Sequence, residues 1–383
     1  MRLSRRLSIM PTLPLDIYFR PSCKWLPFPL NQANCRIYSL ARHALWHACK
    51  AIGLGMNDIV LVPAFHHGSE IEALLQAGVQ IKYYEITENL EPDEPKLEAL
   101  LTDNVRALHL IHYWGKPQDA AKWRTWCDQR GLLLIEDGAQ AFLSTSGGQP
   151  VGSFGHMAMF CLYKTYGLPD GGILISNVPP ATLNANARTG LWRTVRRHFN
   201  WLAERSQVVG MIQLQLSPAI RRWRKKIYHI DEHDLQDPNT PPSMLTLRLL
   251  PKLLNERTAA KRRENFLFLY RHFSKIVPSA FKSLPEGASP FVFPIEVSNP
   301  RAFLEKLKHY GVIGHLFWPV THPSLPLDQF PVSKSIRERV ITLPVHQELT
   351  KTHLVQIVDA VNKCLLTEKK QVHFNDSTSV PAC

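Results

Sequence analysis

An acid and a lysine in two nearby segments could together perform chemistry on a cofactor aldehyde. Asp137 ends the apolar run "LLLIED", and Lys164 lies in "FCLYKTYGLPDGG", where apolar and turn residues surround it. A lysine buried in such surroundings shifts toward its neutral, nucleophilic form and can make a Schiff base. An acid at a strand end can keep the pyridine nitrogen of pyridoxal phosphate (PLP) protonated. The pair therefore predicts a PLP-dependent enzyme.

Each of these residues also has an ordinary interpretation. Asp137 alone could be a helix N-cap or an acid that faces solvent, and a lone lysine in a loop is usually a solvated charge. Gln140 follows Asp137 closely, and Lys164 lies beyond both. The three residues in combination favour the functional interpretation.

The elements around these residues are expected to bring them together. Residues 36–177 alternate between strand and helix patterns, which predicts βαβ units and a mostly parallel sheet. Ligands of such sheets bind at the carboxyl ends of strands. Residues 63–67, 112–115, 137–140 and Lys164 all lie at or just past such ends. We therefore expect them to converge on one site.

Length and composition indicate an ordinary globular protein with more than one domain. The chain has 383 residues, of which 45% are hydrophobic and 20% charged. No apolar run approaches the roughly 20 residues of a membrane span, and the basic start is interpreted as a surface arm rather than a signal peptide. The predicted divisions are an N-terminal arm (1–35), a large PLP-binding α/β domain (36–180), a basic helical insertion (181–244), a smaller C-terminal α/β domain (245–368) and a disordered tail (369–383).

The cysteines and histidines indicate neither disulfides nor a metal site. The 7 cysteines are scattered without a CxxC pair, which favours a reducing, cytoplasmic location. The 17 histidines show no spacing typical of metal ligands, so no metal is predicted.

The net charge of +13 favours anionic partners and is concentrated in residues 188–226, where the only acid is Glu204. Three interpretations of this basic segment stay open. It could be a helical pair that covers a subunit interface, or an amphipathic patch on the inner face of an anionic membrane. It could also receive a diphosphate-bearing substrate or a nucleic acid. For the protein as a whole, no nucleic-acid partner is expected.

Several motifs resemble those of a known family. "IEDGAQA" followed by "GSFGHMAMFCLYKTYGLPDGG" resembles the DegT/DnrJ/EryC1/StrS group of PLP-dependent sugar aminotransferases, and "HYWGKPQD" and "LPVHQELT" are similar to further motifs of that group. The resemblance is strong over 36–177, weak over 245–365 and absent in the basic segment. It implies the PLP-dependent transferase fold of type I, with a mostly parallel seven-stranded sheet and a smaller C-terminal α/β domain. It also implies a homodimer with sites at the interface.

The resemblance implies a role for each matching residue. Lys164 would form the Schiff base and act as the acid–base catalyst, and Asp137 would pair with the pyridine nitrogen. Gln140 would reach the phenolic oxygen of the cofactor. His67 falls where the family places an aromatic side chain on the face of the ring, although it could also be an ordinary loop histidine.

Three positions depart from the family pattern at the phosphate site. Ala41 and Arg42 replace a Gly-Thr pair at a helix start, and Cys161 replaces a serine. We therefore predict a phosphate site made of the helix N-terminus and Arg42. Alternatively, Arg42 forms a surface ion pair. Lys164 also follows "FCLY" more closely than in most members, which places the chain on a divergent branch.

The reaction implied is transfer of an amino group, from glutamate as the expected donor, to a keto group of a nucleotide-linked sugar. Polysaccharide or glycoconjugate biosynthesis would use the product. One alternative is a dehydratase or lyase on a keto sugar, but such relatives tend to replace the lysine with histidine, and Lys164 argues against it. Another is a catalytically silent member with a regulatory or membrane-associated role.

Overall fold

The structure, a computed structural model, describes residues 4–180, 182–184, 190–216 and 233–377, with side chains as far as residue 367. Parts of the predicted basic segment, residues 188–189 and 217–226, therefore lie outside the described residues.

Strands and helices alternate through the first half of the chain. The strands are β1 (Leu7–Ser8), β2 (Cys35–Tyr38), β3 (Ile59–Pro63), β4 (Gln80–Tyr84), β5 (Val105–Ile111), β6 (Leu133–Asp137), β7 (Thr145–Ser146), β8 (Gln149–Pro150), β9 (Met157–Cys161), β10 (Gly172–Ser176), β11 (Val292–Glu296), β12 (Val312–Ile313), β13 (His315–Leu316) and β14 (Val340–Pro344). The helices are α1 (Ala41–Ala51), α2 (Ser69–Ala77), α3 (Glu94–Glu98), α4 (Ala120–Asp128), α5 (Leu162–Thr165), α6 (Leu191–Arg205), α7 (Met244–Leu253), α8 (Thr258–Phe273), α9 (Pro300–His309), α10 (Pro331–Arg339) and α11 (Lys351–Ser377).

A seven-stranded sheet in the order β2-β10-β9-β6-β5-β3-β4 forms the centre of the large α/β region. The neighbours from β9 to β4 are parallel, and β10 is antiparallel to both of its neighbours. This arrangement confirms the predicted fold class. The order also places the ends of β3, β5, β6 and β9 along one edge, because parallel strands share a direction.

The sheet is buried on both faces, which explains the continuous apolar strands in the sequence. All five residues of β3 are buried. Val60 and Val62 pack with apolar residues of α1 and α2, whereas Ile59 and Leu61 belong to the cluster on the other side. This alternation is the period of two that strands impose. Helices covering both faces leave no solvent-facing side for polar residues.

The C-terminal region has its own small sheet and shares a core with the large one. The antiparallel strands β11, β14 and β13 form it. Phe293 and Ile341 of this sheet are fully buried, together with Phe266 of α8. The domain boundaries predicted from the sequence stay a prediction.

Two terminal segments differ from expectation. The arm predicted to lie at the surface buries Leu7, Leu13 and Ile17 completely, and its strand β1 pairs in parallel with β12. The reason is that the apolar side chains of the arm are removed from water by packing on other segments. Helix α11 extends to Ser377, into the stretch predicted to be a disordered tail. Residues 378–383 lie outside the described part.

The insertion contains α6 and a second helical stretch over residues 207–216. Its return segment, residues 233–240, lies against α1, where His43 and His47 contact the carbonyl oxygens of Leu235 and Pro238 at 2.8 and 3.1 Å. Among the helices that the structure describes, none combines the length and the apolar character that crossing a membrane requires.

Candidate active site

A cavity of about 190 Å³ lies at the carboxyl edge of the large sheet. Its lining includes every residue that the sequence analysis selected, namely Arg42, His67, Asp137, Gln140, Cys161 and Lys164. These residues come from four separate segments. The expected convergence is therefore present for His67, residues 137–140 and Lys164, whereas residues 112–115 do not line the cavity.

Asp137 is the last residue of β6 and is buried. Its Oδ1 accepts a hydrogen bond from the backbone N–H of Ala139 at 2.8 Å, and its Oδ2 lies 3.7 Å from Nε2 of His109. Burial and the nearby carboxylate of Glu70 raise the pKa of Asp137 to about 6, although the charge of Lys164 opposes them. A cationic group bound against this carboxylate would favour its ionised form.

Lys164 lies in α5, a single helical turn that follows β9 without a loop. Cys161, the last residue of β9, is buried, and burial raises the pKa of its thiol. The sulfur therefore stays a neutral thiol, which is a weak hydrogen-bonding group. Cys161 can pack against a ligand at this end of the cavity but supplies little charge.

Gln140 has a fixed orientation. Its Oε1 accepts a hydrogen bond from the backbone N–H of Trp114 at 2.9 Å. Because a backbone N–H can only donate, the side-chain oxygen must face Trp114, and the Nε2 amide group is left to donate elsewhere. Trp114 adopts a positive φ of 54°. At the next residue, Gly115, a Cβ would lie 2.2 Å from the carbonyl oxygen of Ser289, so only glycine fits.

His67 lies in the loop after β3, and the carboxylate of Glu70 stabilises this loop. The backbone N–H groups of His67 and Gly68 donate to the carboxylate of Glu70 at 2.9 and 3.2 Å. Burial lowers the pKa of His67 to about 4, so the ring is neutral at physiological pH. The rings of Trp318 and His233 stand at right angles to it, with centroids at 6.4 and 6.0 Å.

Arg42 occupies the first turn of α1. The residue before the helix, Leu40, offers no capping side chain, so the first N–H groups of the helix can bind an anion. The Nη1 of Arg42 donates to the carbonyl oxygen of Asp234 at 2.5 Å. The helix end and Arg42 together make one end of the cavity positive.

The donor set fits PLP. A lysine, a buried carboxylate, an oriented amide donor, a neutral ring and a cationic helix end correspond to the aldehyde, pyridine nitrogen, phenolic oxygen, ring face and phosphate of that molecule. The lining residues that sequence reasoning missed include Met10, Glu70 and Trp318. Only Glu70 left a signal, because an acid three residues after His67 at a helix start is typical of a cap.

Comparisons with known proteins agree with this site. The family model described as the DegT/DnrJ/EryC1/StrS aminotransferase family matches residues 32–188 and 245–362. The dTDP-3-amino-3,4,6-trideoxy-alpha-D-glucose transaminase of Streptomyces venezuelae is 30% identical over 327 residues, which cover 84% of this chain and 80% of that protein. GDP-perosamine synthase of Vibrio cholerae is 31% identical over 137 residues, which are 35% of this chain and 37% of that protein. The solved PLP form of Spr1654 from Streptococcus pneumoniae shares the fold, with a TM-score of 0.61 at 18% identity over 86% of each chain.

Proposed function

This chain belongs to the DegT/DnrJ/EryC1/StrS aminotransferase family, and from that premise we propose that it aminates a keto group of a nucleotide-linked sugar, with glutamate as the amino donor. The observation that carries the proposal is the convergence of Lys164, Asp137 and Gln140 on one cavity. The two relatives named above carry dTDP- and GDP-linked sugars in their names, which supports a nucleotide-linked substrate. We propose that the product enters polysaccharide or glycoconjugate synthesis.

When bound, PLP supplies an aldehyde that condenses with amines and a ring that withdraws electrons from the bond to be broken. The protein residues do the rest. The Nζ of Lys164 holds the cofactor and then carries a proton to and from the reacting carbon. The carboxylate of Asp137 holds a proton on the ring nitrogen, and Nε2 of Gln140 donates to the phenolic oxygen.

The remaining lining residues orient and enclose the reactants. The neutral ring of His67 can cover one face of the cofactor, because burial keeps it uncharged. The first turn of α1 and the guanidinium of Arg42 bind the phosphate, and Cys161 packs beside it. Met10 and Trp318 add apolar surface that excludes water from the cavity.

Two measurements test this function. Purified protein with added PLP should show an absorbance band near the edge of the visible range, and Lys164→Ala should lose it. The protein should then be incubated with glutamate and a panel of nucleotide-linked keto sugars, and the products weighed by mass spectrometry. A product that has gained an amino group supports the proposal. A product that has lost water instead would favour the dehydratase, and no turnover on any sugar would favour the silent member.

We further propose that the protein is a homodimer in the cytoplasm. The family resemblance supports this, because it implies a homodimer with sites at the interface. Sedimentation at equilibrium should give twice the mass of the chain, and a monomer that is fully active would contradict the proposal.

A second observation favours contact with an anionic membrane through α6, at the inner face of the membrane. Leu191, Trp192, Val195 and Phe199 are all exposed on this helix, with Trp192 at 74%. The only acid of the helix, Glu204, is fully buried, so its exposed surface carries no negative charge. An anionic leaflet would balance the charge of its exposed arginines.

Vesicle sedimentation tests the membrane contact. The protein should bind vesicles that contain an anionic lipid and not vesicles of phosphatidylcholine alone. Trp192→Gln should weaken binding, whereas Met56→Gln, which removes an equally exposed apolar side chain elsewhere, should not. Equal binding by both variants would contradict the proposal.

A further inference from the structure

The turn that carries Lys164 is held by side chains from distant parts of the chain. Helix α5 is only four residues long, and the last carbonyl groups of a helix have no partner inside it. The carbonyl oxygen of Leu162 accepts from the N–H of Tyr166 at 2.7 Å. The next three carbonyl groups, those of Tyr163, Lys164 and Thr165, accept from buried arginines instead.

Arg197 of α6 holds the first of these groups. Its side chain is only 6% exposed, and its Nη2 donates to the carbonyl oxygen of Tyr163 at 3.2 Å. Its Nη1 donates to the carbonyl oxygen of Pro11 at 3.1 Å, so the same guanidinium joins the N-terminal arm to the lysine turn. One arginine of the basic segment is thus an internal residue, next to Arg196, which is exposed.

Arg262 of α8 holds the other two groups. Its Nη2 donates to the carbonyl oxygens of Thr165 and Lys164 at 2.8 and 3.3 Å, and its side chain is 2% exposed. Its Nε donates to Oε1 of Gln347 at 2.8 Å, and Nε2 of Gln347 donates to the same Thr165 oxygen at 2.9 Å. Two side chains of the C-terminal region, Arg262 and Gln347, therefore bind the backbone of the lysine turn.

Both guanidinium groups carry a desolvation cost, because they are buried. Burial lowers the pKa of each to about 10, which still leaves both charged at physiological pH. Neither forms an ion pair with an acid among the residues that the structure describes, so backbone and amide oxygens are their hydrogen-bond acceptors. A buried charge without a counter-ion is expensive, and it is retained most readily where its geometry is needed.

We propose that Arg197 and Arg262 form a clamp that positions Lys164 for its reaction with the cofactor. Neither residue lines the cavity, so both act through the backbone of the turn and are positioning residues. A single helical turn does not hold its own geometry in isolation, and catalytic groups must be placed within a fraction of an ångström. The proposal rests on the function proposed above, in which Lys164 carries the cofactor.

The first test follows the cofactor in variants of the clamp. Arg197→Gln and Arg262→Gln should weaken the circular dichroism of the bound PLP, because that signal reports a fixed orientation. They should slow PLP uptake by the cofactor-free protein and lower kcat about 10- to 100-fold, with little change in KM. Arg262→Lys, which keeps the charge but loses the fork of donors, should recover only part of each effect.

Two exposed arginines on neighbouring helices, Arg248 and Arg271, provide matched controls. Their change to glutamine should alter none of these properties. If the clamp variants fold and behave like the controls, the clamp is overturned. If a buried arginine variant does not fold, Gln347→Ala provides a milder test. Gln347 is partly exposed, and the substitution removes only its hydrogen bond to the carbonyl oxygen of Thr165 and its contact with Arg262. It should show the same effects, but smaller ones.

A double-mutant cycle separates positioning from general support of the site. In a Lys164→Ala background, PLP is held without the lysine, and Arg262→Gln should then change PLP affinity by less than about twofold. A loss as large as in the parent protein would show that Arg262 supports the cavity as a whole and would overturn the proposal. Failure of the parent protein to bind PLP would instead overturn the proposed function.

Discussion

One side of the cavity is lined by residues at the ends of neighbouring strands. The rest of its lining comes from segments that lie far apart in the chain. Asp137 ends β6, and His67 and Lys164 lie shortly after β3 and β9, so their positions are set by the sheet. Met10 and Trp318 come from opposite ends of the chain and meet only in the folded protein. The reacting groups are therefore placed by local geometry, whereas the residues that support them come from distant segments.

The largest expected effect tests the sheet edge. Lys164→Ala removes both the group that holds the cofactor and the acid–base catalyst, so kcat should fall by about 10⁴-fold or more. Steady-state assays with the best sugar substrate measure this loss. Lys116→Ala, at a lysine in a separate turn that does not line the cavity, should retain activity. Substantial activity in Lys164→Ala would contradict the proposed role of Lys164 as the group that holds the cofactor and moves the proton.

Asp137 should make the stability of the cofactor-free protein depend on pH. Its pKa is raised from 3.8 to about 6 in the folded state, so the folded protein binds the proton more tightly than the unfolded chain. This stabilisation is complete below pH 4 and is lost as the pH rises through 6. Asp137→Asn should therefore stabilise the cofactor-free protein at pH 7, by about 3 kcal/mol relative to its effect at pH 4.

Urea unfolding at the two pH values measures this difference between variant and parent protein. Asp119→Asn, at an exposed helix cap, is a control in which no comparable change with pH is expected. If Asp137→Asn changes the free energy of unfolding by the same amount at both pH values, burial does not shift the pKa of the Asp137 carboxyl group.

A substitution of Arg42 tests whether the N-terminus of α1 alone, or the arginine side chain as well, binds the phosphate. Arg42→Ala should weaken PLP binding about 10- to 100-fold, because a charge-assisted hydrogen bond is lost while the N–H groups of α1 remain. Pyridoxal, which lacks the phosphate, should bind equally to both proteins. Arg106→Ala removes an exposed ion pair remote from the cavity and serves as the control. Unchanged PLP affinity in Arg42→Ala would leave the helix end as the phosphate site.

The smallest expected effect concerns the distant support. Trp318→Leu removes a ring that stands at right angles to His67, and such contacts contribute about 0.5–1.5 kcal/mol. PLP affinity should fall about two- to tenfold. Trp46→Leu, on the outer side of α1, should leave it unchanged. A loss as large as that for Arg42→Ala would mean that distant segments contribute as much as the sheet edge.

Much of the site could be predicted because its residues follow strands whose type is visible in the sequence. An apolar strand such as β3 or β6 predicts a parallel sheet, and a parallel sheet brings the residues after its strands to one edge. Asp137, Gln140 and His67 could therefore be predicted from the sequence to lie near Lys164. The roles of these residues stay proposals, because shared location does not by itself assign a reaction step.

The residue types at the sheet edge and the family could be recognised from the sequence alone. The folded structure was needed to show which distant residues support that edge. Arg196 and Arg197 are identical neighbours in the sequence, yet one is exposed and the other holds the carbonyl oxygen of Tyr163. The physical reason is that burial depends on contacts between segments far apart in the chain, and a local pattern does not contain them.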